Sequence, residues 1–349
     1  MALYFLPSII FMTTYTEYAN NKNLRKIILI SIFFSLILME TFRSTSLDTF
    51  YGYDTNEYIK FYNAVLYNQS GFEIGYATLN LLLRSMTTDY RYLFFIMSFG
   101  TMFFLSKSID YYTENKSIAL LSYICIFLYI RDLSQMRASL AYSICIYSTI
   151  YLLENNKKKF LMYIILATSI HFSSILMLII YPIYKFKPTK KQLYIILVIS
   201  LLLFKLNLSW MNNFLDIVST LPKNKFTTSF INYNNNINSR GLDNKVMLYL
   251  FISLFGVYIK DYNNIKSDKY DINIYMLVIG IFIAAIFNGS EIISVRLSEL
   301  FITSMIIVIS KFKDITNYKY LEILYHYLTC LFLIIYNIFF ILSLSKYGL

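Results

Sequence analysis

Four stretches of the sequence place ionisable side chains where they could do chemistry. The first opens at Arg43 and runs through Asp48 to Asp54-Thr-Asn-Glu57 and Tyr58. Asp54 with Glu57 has the form of a capping box, and Tyr58, Phe61, Tyr62 and Val65 follow at helical spacing. Structurally, Asp54 would only start an amphipathic surface helix; chemically, it is a carboxylate able to take a proton from an attacking hydroxyl. The second stretch, Arg131-Asp-Leu-Ser-Gln-Met-Arg137, is the most specific local signal. Arg137, Ala141 and Cys145 recur at i, i+4, i+8, so Arg137 tops a column of small residues that lets a helix or ligand approach. Two arginines with Ser134 and Gln135 suit a pair of phosphates; an Arg131–Asp132 pair with snorkelling is the structural alternative. The third is His171 among Thr168, Ser169, Ser173 and Ser174, inside an apolar run. It would either bond a neighbouring helix or orient a pyrophosphate and shuttle a proton. The fourth is Arg296 with Glu299 at i, i+3 beside Glu291, which an intrahelical ion pair would also explain. Arg240, before Gly241, lies in a long polar segment, and loops beyond about 12–15 residues are often functional.

The elements that must carry these groups are read from composition. The chain has 349 residues, 57% hydrophobic and 15% charged, with a mean hydropathy of +0.54. Apolar runs recur along the whole length, each bounded by short and often basic segments, which is the pattern of transmembrane helices of about 20 residues. Several runs are shorter, so half-helices and hairpins are expected. The fold expected is an all-α polytopic membrane protein of about ten to twelve crossings with re-entrant or half-helices, one membrane domain over residues 1–349. Residues 1–16 read as a first crossing rather than a cleaved leader. The net charge of +11 is read as positive-inside bias; nucleic-acid binding is not expected, because the basic residues are scattered among loops. No metal and no cofactor are expected: Cys125, Cys145 and Cys330 show no ligand spacing, and no glycine-rich phosphate loop is present.

The basic loops orient the chain. If Lys22–Lys26, Lys107–Lys116, Lys157–Lys159, Lys185–Lys191, Lys260–Lys269 and Lys311–Lys319 all face the cytoplasm, the runs between them cross an even number of times. Segments 43–72 and 210–244 are then outer, 73–86 is re-entrant or interfacial, and 160–184 is a hairpin with His171 near its apex. Arg43, Asp54, Glu73, Arg131, Arg137, Arg240 and Arg296 all fall on the outer side. The positive-inside rule does not predict outer arginines, and arginine's planar fork suits phosphate, so an outer cavity for an anionic substrate of pyrophosphate type is expected.

Three stretches resemble a known group. Arg43 followed by Gly52-Tyr-Asp54-Thr-Asn-Glu-Tyr58 and Phe72-Glu73-Ile-Gly75-Tyr, then Leu133-Ser-Gln-Met-Arg137-Ala-Ser-Leu-Ala141, then Ala167-Thr-Ser-Ile-His171-Phe-Ser-Ser174, are similar to motifs of the EpsG-type, Wzy-like bacterial polysaccharide polymerases. Order and spacing agree over about the first half of the chain; Arg296-Leu-Ser-Glu-Leu-Phe301 resembles a late segment. Ile74 stands where that family often has Pro, and Ala138 where it often has Gln.

The resemblance implies a metal-independent membrane glycosyltransferase of the bacterial cytoplasmic membrane, with its active face periplasmic or extracellular. It would move a growing glycan from undecaprenyl pyrophosphate onto the terminal sugar of a lipid-linked repeat unit, in O-antigen, capsule or exopolysaccharide synthesis. Implied partners are the lipid-linked oligosaccharides, membrane lipid and a chain-length regulator protein. Fixed cations would meet the leaving pyrophosphate: Arg131, Arg137 and Arg296, with Arg240 closing from its loop and Arg43, Tyr58 and Gln135 binding alongside. The acceptor hydroxyl needs a base, with Asp54 the first choice and Glu73 and His171 the alternates. The competing expectations are an O-antigen ligase-like transferase, a lipid-linked sugar flippase or transporter, and a membrane acyltransferase. No repeat relates the two halves, as a transporter would favour, and His171 has no adjacent carboxylate in sequence, as an acyltransferase would want.

Overall fold

The computed structural model describes residues 22–43, 45, 52–67, 71–206, 241–262, 267–315 and 318–345. Arg240, Asp48, the expected first crossing and most of the expected outer segment 210–244 lie outside the described residues. Among the described residues every regular element is helical and none is a strand. The apolar runs become α1 (Lys22–Thr41), α2 (Gly52–Ala64), α3 (Ile74–Met86), α4 (Arg91–Tyr112), α5 (Lys116–Ile126), α6 (Met136–Leu153) and α7 (Lys157–Ile170). They continue as α8 (Ile180–Phe186), α9 (Lys190–Leu206), α10 (Asn244–Tyr262), α11 (Asp268–Ile286), α12 (Glu291–Ile302), α13 (Met305–Ser310) and α14 (Lys319–Ser345).

Among the described residues, three helices are long and apolar enough to cross a membrane: Arg91–Tyr112, Asp268–Ile286, and Tyr320–Phe339 within α14. Lys116–Ile126 and Phe172–Phe186 are apolar but shorter. At 1.5 Å per residue, α3 and α5 reach only about 16–20 Å, so neither crosses a hydrocarbon core of about 30 Å alone. The helix breaks that the polar apexes predict are present. α7 stops where His171 turns to extended backbone (φ −147°, ψ 114°), and a 3-10 turn, Phe172–Ile179, follows. Asn155 takes a left-handed conformation (φ 57°) between α6 and α7, and Asn156 caps α7 by accepting from the Lys159 amide at 3.1 Å.

The chain packs as two compact units, Met1–Ile175 with Ile309–Leu349, and Leu176–Val308. In the first, α5 and α6 are buried nearly all round and form the core. α4 and α7 lie on α6, α1 lies on α4, α3 lies on α7 and α14 covers α5. Serine, alanine and cysteine along α5 and α6 allow this close contact, as in membrane helix packing. Asn337 of α14 donates to the Cys125 carbonyl at 3.2 Å. In the second unit α11 is the buried centre, with α8, α9, α10 and α12 against it. A Cβ on Gly280 would meet the Phe301 Cβ at 2.9 Å, so only glycine permits that α11–α12 approach.

Candidate active site

Two of the four sequence stretches, Arg131–Arg137 and the His171 run, meet in the first unit on the carboxylate of Glu73, and the first stretch touches them through Tyr58. Glu73 is the residue before α3 (φ −67°, ψ 151°) and makes no side-chain cap on its own helix, which frees the carboxylate to reach other elements. One oxygen accepts from Arg137, at the first turn of α6. The other accepts from the Phe172 amide at 3.1 Å and lies 3.7 Å from His171 Nδ1. Because α7 breaks at His171, the next backbone N–H, that of Phe172, is directed at Glu73. Gly75 makes the approach feasible: a Cβ there would collide with Ser169 Oγ.

Arg137 is held on its other side by rings. Its guanidinium lies 4.3 Å from the Phe72 ring centroid, 5.5 Å from Tyr76 and 5.7 Å from Tyr58. The His171 ring meets Tyr142 edge-on at 5.8 Å, and the Tyr142 hydroxyl is 3.2 Å from Ser173 Oγ. Glu73, Arg137 and His171 keep 22%, 18% and 15% of their side-chain surface open, so a ligand can reach them.

Beneath this cluster is a layer of fully enclosed charge. Arg131 and Asp132, in a π-turn spanning Leu128–Asp132, are both 0% exposed. Arg131 lies 4.6 Å from the Phe127 ring and 5.3 Å from Tyr123, and Asp132 accepts from the Tyr123 hydroxyl at 2.7 Å. Arg43 reaches in from the end of α1, donates to the Asp132 carbonyl at 2.7 Å and to Met136 Sδ at 3.2 Å, and covers the Phe94 ring. These contacts tie α1 to the turn that presents Arg137. Gln135 is half-buried, and its amide closes that turn on the Arg131 carbonyl at 2.6 Å.

Asp54 lies in the first turn of α2, not at its cap as the capping-box reading expects, because the helix starts at Gly52. Glu57 pairs with Lys60 at 2.8 Å instead of reaching back. Asp54 is half-buried and accepts from Ser134 at 3.4 Å, so the α2 stretch and the Arg131–Arg137 turn touch. Arg296 lies on α12 in the second unit, where Glu299 is buried.

The EpsG family matches residues 45–348, nearly the whole chain. The chain belongs to the EpsG family. No curated protein and no solved structure matches it. Membership in the EpsG family carries a general role in polysaccharide polymerisation, and the apolar helices agree with a membrane protein. In this EpsG-family chain, three contributors escape the motif reading. The Phe172 amide is one, since a backbone group carries no sequence signal. Tyr142 is another, hidden in an apolar helix rich in tyrosine. Glu40 is the third: it is 2% exposed in α1, near Arg43 and Asp132. An acid within an expected crossing was the signal that could have found it.

Proposed function

We propose that this chain polymerises undecaprenyl-pyrophosphate-linked oligosaccharide repeat units at the outer face of the bacterial cytoplasmic membrane, through about ten to twelve crossings and short helices. The observation that carries the reading is the convergence of Arg137, His171 and the Phe172 amide on Glu73, with Asp54 joined to the same turn through Ser134. In the reaction, the acceptor hydroxyl oxygen attacks the anomeric carbon of the donor glycan. The bond from that carbon to pyrophosphate breaks, its electron pair leaves with the pyrophosphate, and the hydroxyl proton passes to a base.

Arg137 is the fixed cation to meet the leaving pyrophosphate, with the His171 ring beside it, since a fixed cation in a water-poor site stabilises developing charge. Glu73 is committed to its donors and reads as the carboxylate that orients them. Asp54, with one long contact to Ser134, keeps lone pairs for the acceptor proton. Arg43 and Arg131 support the turn from below. The test is a gel of surface polysaccharide from a strain lacking the gene, complemented with wild type or Arg137→Ala. Loss of the ladder to a single repeat unit, restored only by wild type, supports the polymerase. Full-length polymer left on its carrier would make it a ligase, and an unchanged ladder would refute both.

A further inference from the structure

A groove of about 960 Å³ runs between α1 and α4 of the first unit and ends at the start of α5. Phe33 and Phe34 of α1 face Phe95, Phe99 and Phe103 of α4 across it. Phe34 and Phe99 are 56% and 53% exposed, so the groove is open along its side. Among the described residues five charged ones line it, all at one end: Arg25 and Lys26 in the first turns of α1, Asp110 in the last turn of α4, Glu114 just before α5 and Lys116 at its start. Arg25 donates to the Glu114 carbonyl at 3.4 Å, which fixes that end.

The length argues for a lipid chain over a helix. From Lys26 to Ile37 the groove follows α1 for about 17 Å, and a single leaflet is about half of a 30 Å hydrocarbon core. A partner helix that crosses the membrane would need a track twice as long. The charged end belongs to the basic segments that the positive-inside rule places in the cytoplasm, so the groove spans the inner leaflet.

The charges argue for the headgroup. Lys116 and Asp110 balance each other at 2.5 Å. Lys26 and the Glu114 carboxylate, both exposed, have no ion-pair partner among the described residues. One cation and one anion at the same rim match a headgroup that carries both signs. We propose that the groove seats an acyl chain of an inner-leaflet phospholipid with a primary ammonium, its phosphate on Arg25 and Lys26 and its ammonium on Glu114. The chain lies on the phenylalanine walls. A lipid there braces α1, whose far end leads to Arg43 and the turn below the active site. The proposal rests on the groove and the membrane reading, and stands independently of the polymerase reading.

The test uses the full chain in nanodiscs of phosphatidylethanolamine and phosphatidylglycerol in equal parts, with a trace of either lipid bearing a mid-chain diazirine. Photolysis should label peptides holding Phe33–Ile37 and Phe95–Met102 several-fold more from the phosphatidylethanolamine probe. The exposed face of α14 at Leu328 and Phe332 should take both probes alike. Lys26→Gln with Glu114→Gln, both at the surface, should remove the preference and leave α14 labelling and monodisperse elution unchanged. Equal labelling of the groove by both probes, or a preference that survives the double variant, would overturn the headgroup assignment. Displacement by undecaprenyl phosphate but not by phosphatidylethanolamine would give the groove to the substrate's chain instead.

Discussion

Glu73 accepts from Arg137 with one oxygen and from the Phe172 amide with the other, so replacing it by Gln removes the charge that both donors face. Glu73→Gln is expected to lower kcat by about 10²-fold, the order seen when a preorganised electrostatic contact is lost. Arg137→Ala should lower activity by a similar order and also weaken inhibition by inorganic pyrophosphate. Arg43 behaves differently in this reading, because both of its terminal nitrogens are used inside the protein. Arg43→Lys keeps the charge but not the fork, so it should lower kcat while leaving pyrophosphate inhibition unchanged. Steady-state assays with lipid-linked repeat units separate these outcomes; weakened inhibition in Arg43→Lys would make Arg43 a ligand. Asp54→Asn should abolish turnover without weakening pyrophosphate inhibition, since the base acts on the acceptor. The motifs singled out Asp54, Glu73, Arg137 and His171. Their partners were not legible, because residues 73, 137 and 171 are joined only when three helix ends converge.

The helix ends decide that convergence. α3 approaches α7 through Gly75, whose missing Cβ leaves room for Ser169. Gly75→Val would force the two helices apart, and overpacking of this kind costs about 1–3 kcal/mol. The expected result is a lower melting temperature together with a loss of activity larger than the stability change explains, since Glu73 sits two residues before Gly75. Thermal melts and activity on the same preparation measure both. Apolar runs and polar breaks made most helices readable in advance, His171 among the breaks. The start of α2 was misplaced by three residues, because the Asp-x-x-Glu spacing also occurs inside a first turn. The π-turn at Leu128–Asp132 had no local signal, since its extra residue is set by how α5 and α6 pack.

At the scale of the molecule, the basic loops predict which positions face each side. The native cysteines Cys125, Cys145 and Cys330 are all buried, so a single added cysteine reports cleanly. Asp110→Cys should resist an impermeant thiol reagent applied outside intact cells, and Lys60→Cys should react with it. Labelling at 110 would invert the parity argument and with it the placement of the site.

By itself, the sequence determined the all-helical class with its apolar runs, the expectation of charge sidedness and the motif residues. These follow from hydropathy, loop lysines and short local spacing, all of which are properties of the chain in order. Only the tertiary structure decided that Glu73 is the meeting point and that Arg131 and Arg43 are enclosed beneath it. Charges distant in sequence acquire partners through packing, and burial is a property of neighbours that no local pattern encodes.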